Sequence, residues 1–355
     1  NFPEMAFAIS THLLSDEIPI SELERICHSA FDFEVPLKKI TPEISVLELF
    51  HGPTLAFKDF GARFMALVLR YVARNAPRRI IVLTATSGDT GGAVASGFLG
   101  VENVDVVILY PDGKVSDMQR RQLTTMGENI KALAVDGTFD DCQRLVKEAF
   151  LDRVLQAKYQ LCSANSINIG RLIPQSFYYF YAYSQLEADT PPPIISIPSG
   201  NYGNLTASLL AKRMGLPIKQ LIAASNENDV FPEYLNSGTF RPRTSLETYS
   251  SAMDVGNPSN FSRIIDLYQH DLNALNQDIT GFKITDEETA ATISELYKNQ
   301  GYIIDPHTAV AYLALQRYRI QANDHISPGI VLSTAHASKF ADLVEKQTGK
   351  PVEIP

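Results

Sequence analysis

The chain has 355 residues, of which 45% are hydrophobic and 20% are charged, a composition typical of a folded protein of about two domains. Its formal net charge of −9 argues against a nucleic-acid surface, because binding phosphates needs a clustered positive patch. Three scattered cysteines form neither a disulfide framework nor a metal knuckle, so we expect a cytoplasmic protein. No apolar run approaches the roughly 20 residues of a membrane helix, so we expect no membrane partner.

Along the chain, short β-rich runs alternate with longer amphipathic stretches, which is typical of a mostly parallel sheet covered by helices. The first forty residues predict short helices. A capping box at Thr285–Glu288 predicts the start of a later helix, and Gly301 predicts its end. Three prolines at 191–193 mark the best candidate for a crossing between domains. The four clearest β-runs cover residues 79–84, 104–110, 194–197 and 329–332.

A lysine between aromatic residues lies in the first chemically informative segment, His51-Gly-Pro-Thr-Leu-Ala-Phe-Lys-Asp-Phe-Gly61. An apolar-striped helix follows it. A desolvated lysine has a lowered pKa and becomes a nucleophile that forms imines. Most lysines are solvated charges on the surface, and Lys58 considered alone could equally be one of them.

Hydroxyl and amide groups are concentrated in a second segment, Thr84-Ala-Thr-Ser-Gly-Asp-Thr-Gly-Gly92, at the start of a predicted helix. Such a group could hold a carboxylate. Serine and threonine are also ordinary N-caps, which is the structural alternative. A similar alternative applies to the segment Ser333–Phe340, where a hydroxyl could meet a ring nitrogen or cap a helix.

A glycine-rich turn, Ser199-Gly-Asn-Tyr-Gly-Asn204, directly follows the run at 194–197 and precedes a helix-like stretch. Glycines let backbone N–H groups approach an anion, and the dipole of the next helix favours negative charge. We interpret this turn as a phosphate cradle. A tight strand-to-helix turn without a ligand is the alternative.

Taken in order, these segments resemble the threonine synthase family, in the tryptophan-synthase-like group (fold type II) of pyridoxal-phosphate enzymes. The resemblance spans nearly the whole chain. The matching segments are Leu49–Gly61, Leu83–Gly91, Ser163–Arg171, Pro198–Leu205, Ala252–Val255, Pro306–Tyr312 and Thr334–His336.

The resemblance implies pyridoxal 5′-phosphate as the cofactor, with Lys58 as the catalytic residue that holds it. It implies that the turn at 200–204 binds the cofactor phosphate, that Asp89 lies near the cofactor's 3-hydroxyl, and that Thr334 meets the pyridine nitrogen. The residues so assigned to the cofactor are Lys58, Asp89, Gly200, Asn201, Tyr202, Gly203, Asn204 and Thr334.

The resemblance also implies a lyase reaction in threonine biosynthesis: O-phospho-L-homoserine and water give L-threonine and phosphate by γ-elimination and β-addition of water. An arginine can donate a bidentate pair of hydrogen bonds to the substrate phosphate. Helix capping and a surface salt bridge are the structural alternative for residues 165–171. The residues assigned to the substrate are Thr86, Ser87, Thr90, Asn165, Asn168 and Arg171.

For the fold, the resemblance implies an α/β protein with two open, twisted, mostly parallel sheets covered by helices and the cofactor in the cleft between a large and a small domain. We expect residues 1–45 to be the remnant of an N-terminal helical segment, residues 46–80 with 186–355 to form the large cofactor-binding domain, and residues 81–185 to form a small inserted domain. We expect a monomer or a homodimer. Because the chain begins at Asn1, we also expect a fragment or a processed form.

Three other functions stay open on the sequence alone. A phospholyase would use the same lysine and phosphate contacts but release 2-oxobutyrate, ammonia and phosphate. A serine or threonine dehydratase would not need the set at 165–171, and a non-catalytic phosphate- or nucleotide-binding module would need only the turn at Gly200. The histidines show no i, i+4 pair with an intervening glutamate, so no metal is expected, and His51 and His336 could line the site or serve structural hydrogen bonds.

Overall fold

The computed structural model describes residues 1–86, 88–115 and 117–355, and for residues 117 and 118 the description covers the main chain alone. The chain divides into two compact units. The first comprises Asn1–Glu34 and Gly52–Phe177, and the second comprises Val35–His51 and Tyr178–Pro355. The predicted domain boundaries at residues 45, 80 and 185 stay a prediction.

Helices and strands alternate along most of the chain. In chain order they are α1 (Phe2–Leu14), α2 (Ile20–Ala30), β1 (Leu37–Lys39), β2 (Ile44–Glu48), α3 (Lys58–Ala73), β3 (Ile80–Ala85), α4 (Asp89–Phe98), β4 (Val104–Pro111), α5 (Asp117–Thr124), β5 (Ile130–Val135), α6 (Phe139–Leu151), α7 (Arg153–Lys158), β6 (Gln160–Ser163), α8 (Ile169–Ser184), β7 (Ile194–Pro198), α9 (Gly203–Arg213), β8 (Gln220–Ser225), α10 (Val230–Ser237), a 3₁₀ helix (Ser251–Met253), α11 (Phe261–Leu267), α12 (Leu272–Asp278), β9 (Ile279–Lys283), α13 (Asp286–Gln300), α14 (Pro306–Ala322), β10 (Gly329–Ser333), a second 3₁₀ helix (Ala337–Phe340) and α15 (Ala341–Thr348).

In the first unit, a sheet with the strand order β5-β4-β3-β6 is parallel throughout. Its core residues Val82, Val106 and Ile108 are fully buried, and Phe98 of α4 packs with them. Parallel sheets need cover on both faces, which explains why the central strands β3 and β4 are rich in β-branched residues. The loops that carry candidate site residues follow β3 and β6.

In the second unit, the sheet order is β1-β2-β10-β7-β8-β9, and β1 is antiparallel to β2 while the other pairs are parallel. Every residue of β7 and β10 is buried, as expected of central strands. Because β7 and β10 are neighbours and parallel, the turn after β7 and the segment after β10 leave the sheet at the same edge.

The predicted α/β class with mostly parallel sheets is confirmed. The four predicted β-runs correspond to β3, β4, β7 and β10, each within one residue at either end. The predicted capping box is present at α13, where the Thr285 side chain accepts from the Glu288 N–H, and Gly301 ends the helix with a φ of 66°. Within the described ranges, no helix has the length and apolar character needed to cross a membrane.

We expect Leu332→Ala to lower the free energy of unfolding of the second unit by about 2–5 kcal/mol, because deleting a buried leucine leaves a cavity. Leu332 is fully buried in β10 and pairs with Leu47 of β2. Urea denaturation followed by circular dichroism measures the change. Ile326→Ala, at a residue that is 87% exposed, is the control and should stay within about 0.5 kcal/mol of the parent chain.

Candidate active site

Lys58 is the first residue of α3 and is half-buried. Its Nζ atom lies 5.0 Å from the centroid of the Phe57 ring. Three residues earlier, Leu55 has a φ of 56°, a left-handed conformation that is uncommon for a large side chain. Strain of this kind is maintained only where the surrounding structure fixes it, and it clusters at functional sites. Lys58 therefore begins a helix directly after a constrained turn, with an aromatic ring beside its amine.

Asp59, the neighbour of Lys58, is fully buried. Its carboxylate accepts hydrogen bonds from the Thr54 backbone N–H at 2.8 Å and from the Thr54 hydroxyl at 2.7 Å. A Cβ atom on Gly52 would lie 2.5 Å from Asp59 Oδ2, so only glycine fits there. The carboxylate thus ties the 52–54 loop to the first turn of α3 and fixes the main chain at Lys58.

The loop between β3 and α4 is shaped by Thr86, which is buried. The Thr86 hydroxyl donates to the Gly88 carbonyl at 3.1 Å and accepts from the N–H groups of Gly88 and Gly91 at 3.0 and 2.9 Å. These contacts use the donor and both acceptor sites of the hydroxyl. Ser87, a predicted substrate ligand, lies outside the described residues.

Asp89 and Thr90 form the first turn of α4, where the helix dipole favours an anion. Asp89 is buried, and its Oδ1 accepts from Gln119 Nε2 at 3.1 Å. Thr90 is half-buried. Gly88, which precedes them, has a φ of 146°, a region that other residues rarely adopt.

Asn165 and Asn168 hold their loop to its surroundings. The Asn165 side chain exchanges two hydrogen bonds with the backbone of Ala85, at 3.1 and 2.6 Å, which joins this loop to the end of β3. Asn168 Oδ1 accepts from the Gly170 N–H at 2.9 Å at the start of α8, and its Nδ2 donates to the Ser163 carbonyl at 2.8 Å. Each amide therefore has a structural role and keeps part of its bonding capacity.

Arg171 is only 1% exposed. Its Nη1 donates to the Ala164 carbonyl at 2.5 Å, and its Nε has no hydrogen-bond partner within the described part of the chain. A Cβ atom on Gly61 would lie 2.8 Å from this Nε, so the guanidinium lies against the first turns of α3. Burial lowers the pKa of Arg171 to about 10, an effect that the charge of Asp59 partly offsets, so Arg171 stays a cation at neutral pH.

In the second unit, the turn after β7 leads directly into α9. Gly200 packs so closely on Met253 that a Cβ atom would lie 2.5 Å from the Met253 Cα and 2.6 Å from its carbonyl oxygen. Tyr202, the N-cap of α9, has a φ of 57°, and its side chain makes no capping hydrogen bond to the helix. The first N–H groups of an uncapped helix are available to an anion.

Asn204, in the first turn of α9, is held by two buried tyrosines. Its Oδ1 accepts from the Tyr178 hydroxyl at 2.5 Å and from the Tyr179 hydroxyl at 2.6 Å. These contacts leave Asn204 Nδ2 as a buried donor that has no hydrogen-bond partner among the described residues. A buried donor without a partner costs roughly 1–3 kcal/mol, so its presence indicates a missing acceptor.

The other residues of the turn are fixed from neighbouring segments. Asn201 Oδ1 accepts from the N–H and the hydroxyl of Ser259, at 2.6 and 2.9 Å. The Asn201 carbonyl accepts from Asn260 Nδ2 at 3.1 Å, and the Tyr202 hydroxyl lies 2.6 Å from Ser225 Oγ. The turn therefore has its shape before any ligand binds.

Thr334 directly follows β10 and is buried. Within the residues that the structure describes, its hydroxyl makes no hydrogen bond, whereas the neighbouring Ser333 Oγ lies 2.8 Å from Thr308 Oγ1. A buried hydroxyl at the carboxyl edge of the sheet can donate to a ring nitrogen. The turn at 199–204 and Thr334 then lie at the ends of adjacent strands, as the parallel pairing of β7 and β10 requires.

Glu48 and His336 line a cavity of about 440 Å³ in the second unit, and His51 contacts Glu48. Glu48 accepts from the Tyr302 hydroxyl at 2.7 Å and pairs with His51 Nε2 at 2.8 Å. Burial opposes ionisation of Glu48, but the hydrogen bonds from His51 and Tyr302 outweigh it, so the pKa of its carboxyl is lowered. Burial lowers the pKa of His336, and the nearby His51 adds to this effect. The Ser338 N–H donates to His336 Nδ1 at 3.2 Å, which leaves the proton of the neutral ring on Nε2.

The donors of these segments fit pyridoxal 5′-phosphate. The turn at 200–204 offers uncapped helix N–H groups and a buried amide donor, which suit a phosphate dianion. Thr334 offers a hydroxyl without a partner in the described structure, and Lys58 offers an amine. Within the described residues, no group of three or more His, Cys, Asp or Glu side chains could hold a metal ion.

Comparison with known proteins supports the same cofactor. A family model described as pyridoxal-phosphate dependent enzyme matches residues 36–334. A threonine synthase from Serratia marcescens is 46% identical over 356 aligned positions, which cover 100% of this chain and 81% of that protein.

Solved structures lead to the same family. The crystal structure of threonine synthase from Escherichia coli matches with a TM-score of 0.93 and 45% identity, and covers 100% of this chain and 81% of its own. A structure described as pyridoxal-phosphate-bound threonine synthase from Brucella melitensis matches with a TM-score of 0.92 and 37% identity, covering 100% of this chain and 82% of its own. The chain is thus a pyridoxal-phosphate-dependent enzyme, and within that class it belongs to the threonine synthase family.

Sequence reasoning missed Asp59, Tyr178 and Tyr179. Asp59 follows the candidate lysine directly, and an acidic residue in a helix's first turn was a usable signal. The tyrosines lie in an aromatic stretch of α8, which predicts core packing, and no local pattern pairs them with Asn204. Their contact spans 26 and 25 residues and depends on the fold.

We expect Gly200→Ala to weaken binding of pyridoxal phosphate about tenfold or more, because the new methyl group meets the Met253 backbone, which cannot rotate away. Titration of the cofactor-free protein, followed by absorbance, measures the dissociation constant. Gly301→Ala is the control: it strains a positive φ but meets open space, so it should lower stability and leave cofactor affinity unchanged. Equal affinities for Gly200→Ala and the parent chain would contradict the cradle.

Proposed function

We propose that this chain converts O-phospho-L-homoserine and water into L-threonine and phosphate, with pyridoxal 5′-phosphate attached at Lys58. The observation that carries the proposal is the buried Asn204 Nδ2, which has no partner in the described residues and lies in the first turn of an uncapped helix. It supports a phosphate-bearing cofactor at this turn. The substrate is supported by 46% identity to a protein named threonine synthase, covering 100% of the chain.

When bound, the cofactor supplies an electron sink that acidifies the Cα hydrogen of an attached amino acid. Lys58 is the proposed base that moves the proton at the substrate's Cα and later serves Cβ. One amine that serves several steps needs a pKa near the working pH. Lys58 is half-buried beside the ring of Phe57, which restricts the access of water to its amine.

The turn at 200–204 is proposed to hold the cofactor phosphate through Gly200, Asn201, Tyr202, Gly203 and Asn204. Thr334 is proposed to donate its hydroxyl to the ring nitrogen. A neutral hydroxyl leaves that nitrogen largely unprotonated, whereas a carboxylate would protonate it, so Thr334 would moderate the electron sink. Asp89 is proposed to lie near the 3-hydroxyl, held by Gln119.

Two loops of the first unit are proposed to bind the substrate. Thr90 lies in the first turn of α4, where the helix dipole favours a carboxylate, and Ser87 is proposed to bind the carboxylate with it. Thr86, whose hydroxyl is fully bonded to Gly88 and Gly91, is proposed to act by shaping the loop. Asn165, Asn168 and Arg171 are the proposed ligands of the substrate phosphate. The charge of Arg171 and its Nε, which has no partner among the described residues, support this role, while its burial against α3 also supports a structural role.

We further propose a cytoplasmic monomer or homodimer. The three cysteines Cys27, Cys142 and Cys162 are free thiols, which suits a reducing compartment. Burial raises the pKa of Cys27 and Cys142 to about 11, so both stay unreactive thiols at neutral pH.

We expect the parent chain to release threonine and phosphate in equal amounts from O-phospho-L-homoserine, and Lys58→Ala to lower the rate by about 10³-fold or more, because the variant lacks the proposed base. Product analysis by chromatography, together with a phosphate assay, measures both. Lys147→Ala, at an exposed lysine of α6, is the matched control and should keep the parent rate. Release of 2-oxobutyrate and ammonia would instead identify a phospholyase, and a fast Lys58→Ala variant would remove Lys58 from the mechanism.

Arg171→Lys separates the two roles of Arg171. A lysine keeps the charge but loses the bidentate geometry, so we expect KM for the phosphorylated substrate to rise about tenfold while the affinity for pyridoxal phosphate stays constant. Steady-state kinetics and cofactor titration measure the two quantities. If the unfolding midpoint and cofactor affinity fall while KM is unchanged, Arg171 supports α3 and does not bind substrate.

A further inference from the structure

The 3₁₀ helix Ser251–Met253 and the N-terminus of α14 both lie in segments that match the family, yet neither has a role in the proposed chemistry. Met253 is the residue whose backbone closes on Gly200. Its carbonyl accepts from the Val255 N–H at 2.8 Å, and its own N–H donates to the Ser250 carbonyl at 2.9 Å. The shape of the phosphate cradle therefore depends on what holds residues 250–255.

One support of this segment is a buried imidazole. His307 is 2% exposed, and its Nε2 accepts the backbone N–H of Ala252 at 3.2 Å. Its Nδ1 lies 2.6 Å from Oδ2 of Asp305, which is 1% exposed. Because Nε2 accepts, the ring proton must be on Nδ1 and point at the carboxylate. Asp305 therefore selects the tautomer that can hold Ala252.

Asp305 also reaches the other proposed cofactor contact. As the N-cap of α14, it accepts from the N–H groups of His307 and Thr308, at 3.0 and 3.2 Å, and from the Thr308 hydroxyl. Since that hydroxyl donates to Asp305, Ser333 Oγ must donate to it, across 2.8 Å. Ser333 directly precedes Thr334. One capping carboxylate thus connects the cradle side and the ring-nitrogen side of the second unit.

The opposite end of the segment has its own hydrogen-bonded anchor. Asp254 accepts from the Thr248 hydroxyl at 2.7 Å, from the Thr248 N–H at 3.0 Å and from Asn226 Nδ2 at 2.9 Å. Burial raises the pKa of Asp254 to about 6, and the hydrogen bonds from Thr248 and Asn226 oppose that effect. Because Thr248 and Asn226 bond directly to Asp254, loss of the His307 contact should shift Ala252 and Met253 locally and leave the fold intact.

We propose that His307 and Asp305 are positioning residues for the cofactor phosphate: His307 holds Ala252 so that the Met253 backbone keeps Gly200 and its turn in the shape that binds phosphate. The proposal rests on the proposed phosphate-binding role of residues 200–204. Neither residue takes part in proton transfer to the substrate. Their effect is on how strongly the phosphate of the cofactor contributes to binding.

The test uses two substitutions, one that keeps the Nδ1 contact of His307 with Asp305 and one that keeps its Nε2 contact with Ala252. His307→Asn places its amide near the Nδ1 position, so it can keep the contact with Asp305 but cannot reach Ala252. His307→Gln places its carbonyl oxygen near the Nε2 position, so it can accept from Ala252. Dissociation constants of pyridoxal phosphate and of pyridoxal, which lacks only the phosphate, are measured by absorbance on the full chain freed of cofactor.

We expect His307→Asn to weaken pyridoxal phosphate binding about tenfold and pyridoxal binding by less than about twofold, since one hydrogen bond that shapes the phosphate cradle is lost. His307→Gln should restore the preference for the phosphorylated form. The proposal is overturned if His307→Asn binds pyridoxal phosphate like the parent chain, if it loses affinity for both ligands equally, or if His307→Gln behaves like His307→Asn.

Asp305→Asn gives a second, nearly isosteric variant in case His307→Asn does not fold. Asparagine is a good N-cap, so α14 keeps its start. The carbonyl oxygen of asparagine in the Oδ1 position keeps both bonds from Thr308, which places the NH2 group in the Oδ2 position, facing Nδ1. That NH2 group favours the other tautomer, with the proton on Nε2 directed at the Ala252 N–H. The same selective loss of pyridoxal phosphate affinity is expected, and parent-like affinity overturns the proposal.

If the parent chain itself fails to bind pyridoxal phosphate, the proposed function falls together with this inference, whereas unaffected variants of a parent that binds tightly refute the inference alone.

Discussion

The parallel pairing of β7 with β10 is the constraint on which the second unit's functional residues depend. Parallel neighbours end at the same edge of a sheet, so the turn at 199–204 and the segment that begins at Thr334 leave the sheet together. Both strands are buried on both faces, which fixes their register. The proposed phosphate cradle and ring contact can then be supplied by main-chain geometry and a few side chains.

Around this edge, buried side chains form hydrogen bonds that orient the residues proposed to donate to the cofactor. Tyr178 and Tyr179 both use their hydroxyls to orient the amide of Asn204, and burial holds the pKa of each phenol well above its usual range, so each stays a donor. The first unit follows the same principle, because buried Asp59 fixes the turn that presents Lys58. In both units, the residues proposed to touch the cofactor are oriented by others that do not.

The sequence was sufficient for the class of fold, the central strands β3, β4, β7 and β10, and the helix that starts at Thr285. Strands such as β8, with the alanine-rich sequence Gln-Leu-Ile-Ala-Ala-Ser, carry no β-branched pattern and form because their neighbours bury them. Family resemblance selected the candidate residues, but it could not indicate that Thr86 is saturated within its own loop or that Arg171 lies against α3. Such facts depend on contacts between segments distant in sequence.

The contact between Gly200 and Met253 has a consequence for how mutations accumulate in such enzymes. The glycine meets the main chain of its neighbour, through Cα, C and O, and these atoms are the same whatever amino acid occupies position 253. Position 200 is therefore closed to every side chain, while position 253 is constrained by its own packing alone. No compensating exchange can relieve a larger residue at 200, so the pair should show no co-variation, and methods that infer contacts from correlated substitutions would overlook one of the tightest contacts in this unit.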